Sequence, residues 1–198
     1  MDIGAVGGKG RRSGYGFERV ARRAGVPGVE PAPAVALPTV TFADSVTFHL
    51  NGQTIRVRHL EDAGHTDGDS LVFFEEANVV HMGDTMFNGM YPFIDVTTGG
   101  TMAGMVRNAD RVLALIDEET RIIPGHGALA DRAQLSAFRD MLAGIHQKVT
   151  ELIAAGHDRD AVIAAKPTEP WDEVWGGGMI GPDIFAGIAF ECTRAENE

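Results

Sequence analysis

The chain has 198 residues, 44% hydrophobic and 23% charged, which suits one globular domain with a sizeable core. Its formal net charge of -11 argues against a nucleic-acid surface and disfavours an anionic membrane, because both need a basic patch. No apolar run approaches the roughly 18 residues that span a bilayer, and no signal peptide is recognisable at the start of this chain. A single cysteine, Cys192, excludes an intrachain disulfide and a cysteine-rich zinc site, and leaves cellular location open.

Residues 1–36 are rich in glycine and arginine and poor in core residues. Residues 1–35 hold six basic and three acidic side chains, so the net negative charge lies entirely beyond them. The stretch is expected to be a poorly ordered lead-in, its basic cluster a solvated tail, followed by a domain over residues 37–198. Residues 40–50 (VTFADSVTFHL) alternate apolar and polar side chains, as do residues 53–60 (QTIRVRHL). Asn51-Gly52 between them predicts a β-hairpin, because that turn needs two residues at positive φ. Residues 70–76 (SLVFFEE) and 78–84 (NVVHMGD) read as two buried strands.

A helix is predicted after Gly99-Gly100. Thr101 is its N-cap, and Met102, Met105, Ala109, Val112, Leu113 and Ile116 form one apolar face. Residues 121–127 (RIIPGHG) form a short strand ending in a glycine turn. A second helix starts near Asp131, buries Leu135, Phe138, Leu142, Ile145, Val149 and Leu152, and stops at Gly156. A short helix near 158–165, a tryptophan- and glycine-rich segment, and a last helix near 182–194 complete the chain. The order of elements gives an α/β layered domain.

Three segments gather the residues suited to chemistry: GHTDGDS (64–70), HMGDTMF (81–87) and IIPGHG (122–127). Each places a histidine or aspartate at a strand end, and strand ends of one sheet can converge on one edge, where imidazole and carboxylate suit zinc. Glycines on both sides of His126 let the backbone turn so that the ring projects outward. The other polar residues have simpler readings. His81 is a hydrogen-bonded core residue, His49 and His59 belong to the hairpin, and His146 and His157 lie on the surface of the second helix. Asp67 and Asp69 serve the turn after His65, with steering of its ring as the alternative. Trp171 and Trp175 pack near the C-terminus, and Cys192 is a small core residue.

In their order and context, GHT, GDTMF and IPGHG resemble the later motifs of the metallo-β-lactamase superfamily, in its glyoxalase-II-type branch with aspartate. The resemblance covers about residues 37–198 and implies an αββα sandwich with a metal site at one edge. It implies that His65 binds a first zinc, that Asp84 bridges two zinc ions and has the catalytic role, and that His126 binds the second. The implied activity is hydrolysis of a carbonyl-type small molecule by a zinc-activated water. The superfamily's His-x-His-x-Asp-His motif is absent. The resemblance therefore extends to the C-terminal part of that fold only, with two protein ligands per zinc. The expectation is a truncated reading of a longer hydrolase, weakly active or inactive. The alternative is a non-catalytic remnant that binds a partner chain, or self-associates, through a sheet face left exposed.

Overall fold

The computed structural model describes residues 4–5, 35 and 38–196. Most of the expected lead-in lies outside them. A two-residue strand β1 (Gly4–Ala5) pairs in parallel with β2 (Thr41–Phe42).

Five strands then form one sheet in the order β3 (Ser45–Leu50), β4 (Gln53–His59), β5 (Ser70–Phe74), β6 (Val79–Phe87) and β7 (Arg121–His126). The β3–β4 hairpin turns at Asn51 (φ 52°) and Gly52 (φ 75°), the double left-handed geometry that Asn-Gly supplies. Pairing is antiparallel as far as β6 and parallel between β6 and β7. A parallel pair needs a crossover, and helix α1 (Met102–Leu115) provides it. Because β4, β6 and β7 all run the same way, their C-terminal ends meet at one edge of the sheet.

Helices α2 (Arg132–Ala154), α3 (Arg159–Ala164), α4 (Asp172–Trp175) and α5 (Pro182–Glu196) complete the chain. Local chemistry sets their ends. The Thr101 hydroxyl accepts from the Gly104 amide at 2.9 Å and caps α1. The last carbonyls of α1 are met by Arg132, whose guanidinium donates to Leu113 and Ile116. Asp131 and Gln134 form a reciprocal capping box at α2. Gly156, at φ 87°, marks where α2 stops.

The core lies between one face of the sheet and the helices. Leu71, Val80, Met82 and Ile122 meet Met105, Ala109 and Val112 of α1, Leu135, Phe138 and Leu142 of α2, and Phe185, Ala189 and Cys192 of α5. Burial pushes the Cys192 thiol up to about 12, so it stays a neutral packing group. Leu113, Ile116 and Leu152, expected in the core, are only half-buried at its margin.

The opposite face of the sheet is also apolar. Register places Val46, Val57, Val72, His81 and Ile123 in one row across it, and Phe48, Ile55, Phe74 and Val79 beside them. Of these only Val57 is fully buried. On β3 and β4 the helix-side positions are instead polar, with Thr47, Arg56 and Arg58 exposed, because the helical layer does not reach that far. Of the four layers that an αββα sandwich has, the described residues thus show one five-stranded sheet and the helices on one face.

His146 departs from its expected surface role. Its Nε2 donates to a Glu196 carboxylate oxygen at 2.8 Å, while the other oxygen accepts from the Ala103 amide at 3.0 Å, tying α5 to α1 and α2. Burial disfavours the Glu196 carboxylate, but these hydrogen bonds outweigh it and hold its pKa below the usual glutamate range. The folded chain therefore gives up this proton more readily than the unfolded chain. The resulting stability is present above the unfolded value of about 4.3 and fades as pH falls through the lower folded one. Glu196→Gln is expected to cost about 1–2 kcal/mol at neutral pH. It should also flatten the acid limb of stability, as read by urea denaturation across the acid range.

Candidate functional site

His65, Asp84 and His126 come together at the edge where β4, β6 and β7 end. Asp84 lies near the end of β6, which runs to Phe87, three residues further than expected. Gly83 (φ 54°) lies at an irregularity in the pairing with β7, between His81 and Gly83. The irregularity takes the place of strict alternation and leaves Asp84 41% exposed. His126 ends β7, its ring stacked on Phe87 at 4.6 Å.

Asp69 fixes the backbone at His65. Its carboxylate accepts from the His65 amide at 2.7 Å and from the amide and hydroxyl of Thr66 at 3.0 and 2.8 Å. Asp69 thus performs the turn role and, through the backbone, places His65. Burial raises its pKa against those hydrogen bonds. The close fit leaves no room for side chains nearby: a Cβ at Gly64 would come within 2.8 Å of the Asn108 amide nitrogen.

The His65 ring is set by a group remote in sequence. Its Nδ1 lies 2.8 Å from the Phe93 carbonyl. A carbonyl can only accept, so Nδ1 carries a proton, and in the neutral ring Nε2 presents its lone pair. That Nε2 lies 3.5 Å from Asp84 Oδ2, and His126 Nε2 lies 3.4 Å from Asp84 Oδ1. Charge-assisted hydrogen bonds between such groups close to about 2.7–2.9 Å. These gaps are longer. They match the separation of two donors on one tetrahedral zinc, about 3.4 Å for bonds near 2.0–2.1 Å. Each Asp84 oxygen faces a different imidazole.

Gly125 makes this possible, since a Cβ there would overlap Asp84 Oδ1 and the Gly83 backbone. Gly127 (φ 95°) lets the chain turn past Asn88, whose amide donates to the His126 carbonyl at 2.9 Å. The donors therefore fit zinc in kind and spacing, pair by pair. Among the described residues, however, no group of three or more His, Cys, Asp or Glu side chains could hold one ion. The three residues make two pairs that share Asp84.

The other histidines stand apart. His81 is half-buried on the apolar sheet face and accepts from the Gly83 amide through Nδ1 at 3.0 Å. His59 donates to the Asp67 carbonyl, and exposed His157 approaches the Leu152 carbonyl through Nδ1. Trp175 is buried against Phe138, and Trp171 covers Gly144. Sequence reasoning missed Phe93 and the stacking of Phe87 on His126, and it gave Gly125 a turn role without the room it leaves for Asp84; these parts depend on neighbours that only the folded sheet edge brings close.

No protein-family model and no curated protein matches the chain. Solved structures do. The inverting sec-alkylsulfatase Pisa1 from Pseudomonas sp. matches with a TM-score of 0.60 at 15% identity, over 78% of this chain and 26% of that one. A metallo-β-lactamase from Pontibacter korlensis matches with a TM-score of 0.47 at 23% identity, over 54% of this chain and 49% of that one. The B3 metallo-β-lactamase BLEG-1 matches with a TM-score of 0.48 at 21% identity, over 63% and 56%. The chain spans about half the length of these two metallo-β-lactamases and about a quarter of the alkylsulfatase. The shared feature is the fold, a metallo-β-lactamase-like α/β arrangement. Among the described residues, no helix is long and apolar enough to cross a membrane.

Proposed function

We propose that this chain carries the Asp84-bridged part of a two-zinc hydrolase site, with His65 and Asp84 on one ion and Asp84 and His126 on the other. The observation that carries the reading is the pair of Nε2–carboxylate gaps, 3.5 and 3.4 Å. Both are too long for a hydrogen bond and sized for a shared ion.

Zinc bound there would supply a water that loses a proton near neutral pH and attacks a carbonyl-type small molecule. The chain's own residues prepare for this. The Phe93 carbonyl holds the His65 ring in the tautomer that offers Nε2, the outer-shell arrangement that supports a ligating imidazole. Asp84 offers one oxygen to each side and, at 41% exposure, stays open to an incoming molecule. Each ion would have two protein donors, where catalytic zinc usually has three. The chain alone is therefore expected to be weakly active or inactive until further ligands complete the site.

Equilibrium dialysis against zinc tests this. Weak binding of up to two ions, lost with these three residues, is expected. Tight stoichiometric binding would overturn the incomplete-site reading, and binding indifferent to all three would overturn the site itself.

The half-buried apolar sheet face favours a second reading, a non-catalytic chain that binds a partner, or a second copy, through that face. A mass by light scattering that stays monomeric at all concentrations would remove the self-association form of it.

A further inference from the structure

The end of the sheet away from Asp84, where β5 turns into β6, carries a cleft of about 320 Å³. It opens where the helical layer stops short of β4. Arg58 and Phe73 line it from the sheet, Leu115 and Ile116 from the end of α1, and Asn78 and Thr120 from the turns between. Phe73 and Ile116 are half-buried against the core, while Leu115 is 54% exposed. The polar side is held firmly. The Thr120 hydroxyl donates to the Asn78 side-chain oxygen at 2.7 Å, and the Asn78 amide donates to Asp117 at 3.0 Å.

Charge singles out one residue of this cleft. Arg56 is already paired with Glu75 at 2.7 Å. Arg58 is exposed, and among the described residues no carboxylate answers its guanidinium. The acidic residues that follow β4, Glu61 and Asp62, face Arg107 and Arg111 instead. With Arg56, Arg58 and Glu75 as its charged lining, the cleft is net positive by one, in a chain whose net charge is -11. A free guanidinium beside an apolar wall suits a carboxylate on a hydrocarbon body. The planar fork meets both oxygens, and the body covers the exposed apolar surface. A phosphate head would bring about two negative charges, of which the cleft balances one. The volume is near the lower end of small-molecule sites, about 300–1,000 Å³, so the body is short.

We propose that this cleft binds a medium-chain carboxylate, its head on Arg58 and its chain on Phe73, Leu115 and Ile116. No bond is made or broken there. The site stands apart from His65, Asp84 and His126 and needs no metal, so it goes beyond the hydrolase reading and does not depend on it.

The test is an amide NMR titration of the full chain, in chelator, with octanoate, octanamide and acetate. Octanoate is expected to bind at least about tenfold more tightly than acetate, from burial of its chain. It should bind about fivefold more tightly than octanamide, from the charged contact with Arg58. The shifts should centre on Arg58, Phe73, Leu115 and Ile116. Arg58→Gln should bring octanoate down to the level of octanamide, and Arg58→Lys should keep part of the difference. Leu115→Ala should weaken both ligands alike. Arg58 and Leu115 are exposed, so thermal unfolding of these variants should match the wild-type chain. Equal binding of octanoate and octanamide, or an octanoate affinity unchanged in Arg58→Gln, would overturn the proposal. So would shifts centred on Val46, Phe48 and Ile55 of the opposite sheet face, or no shift up to the solubility of octanoate.

Discussion

Asp84→Ala is expected to abolish zinc binding at both positions at once, while His65→Ala and His126→Ala should each leave one ion. The asymmetry follows from geometry, because Asp84 gives one oxygen to the His65 side and the other to the His126 side. Loss of an outer-shell partner alone weakens a metal site by roughly 10–100-fold. Loss of a carboxylate shared by two pairs should exceed 100-fold at each. The fold should survive, since Asp84 is 41% exposed and its loss leaves no buried cavity. Zinc stoichiometry by mass spectrometry and thermal unfolding in chelator are the two readouts. Unchanged stoichiometry in Asp84→Ala would remove the bridging role.

The second large effect lies where α1 meets the loop that carries His65. Gly104→Ala is expected to destabilise the chain by roughly 3 kcal/mol, near the upper end for overpacking. A Cβ at Gly104 would overlap the Ala63 carbonyl, which is backbone and has little freedom to move. The same carbonyl accepts from the Thr101 hydroxyl at 2.8 Å, so moving it also disturbs the cap of α1. For a domain of this size that loss lowers Tm by about 6–12 °C. Gly177→Ala is the control, because nothing lies within 4 Å of a Cβ there and its φ is not positive. It should change stability by less than about 1 kcal/mol. A Tm drop in Gly104→Ala no larger than in Gly177→Ala would show that the loop and helix are not packed as described.

Elements whose ends are set by near neighbours were legible in the sequence. Asn51-Gly52 encodes its turn in two residues, and Thr101 and Asp131 cap helices through partners three residues on. The gathering of His65, Asp84 and His126 at one edge was legible too, because each sits next to a glycine, in or after a strand, and β4, β6 and β7 share a direction. The orientation of those side chains was not. His65 takes its tautomer from Phe93, 28 residues away, and Asp84 takes its room from Gly125, 41 residues away. His146 was misjudged for the same reason, since its partner Glu196 lies 50 residues further along. β6 overran its expected end because the irregularity at Gly83 lets pairing resume at Phe87 opposite His126.

The parallel pairing of β6 with β7 has a bearing on the order in which the site matures. His65 and Asp84 are 19 positions apart and are joined by antiparallel neighbours, β4 to β5 to β6. Asp84 and His126 are 42 positions apart and meet only after α1 has crossed over. Closing the longer loop costs more chain entropy, and the contacts that reward it come later. Refolding is therefore expected to protect the amides of β5 before those of β7, as pulsed hydrogen exchange can show. On that sequence of events, the His65 side of Asp84 is assembled while the His126 side is still open chain. A stalled or interrupted folding attempt would leave behind one half of a bridge.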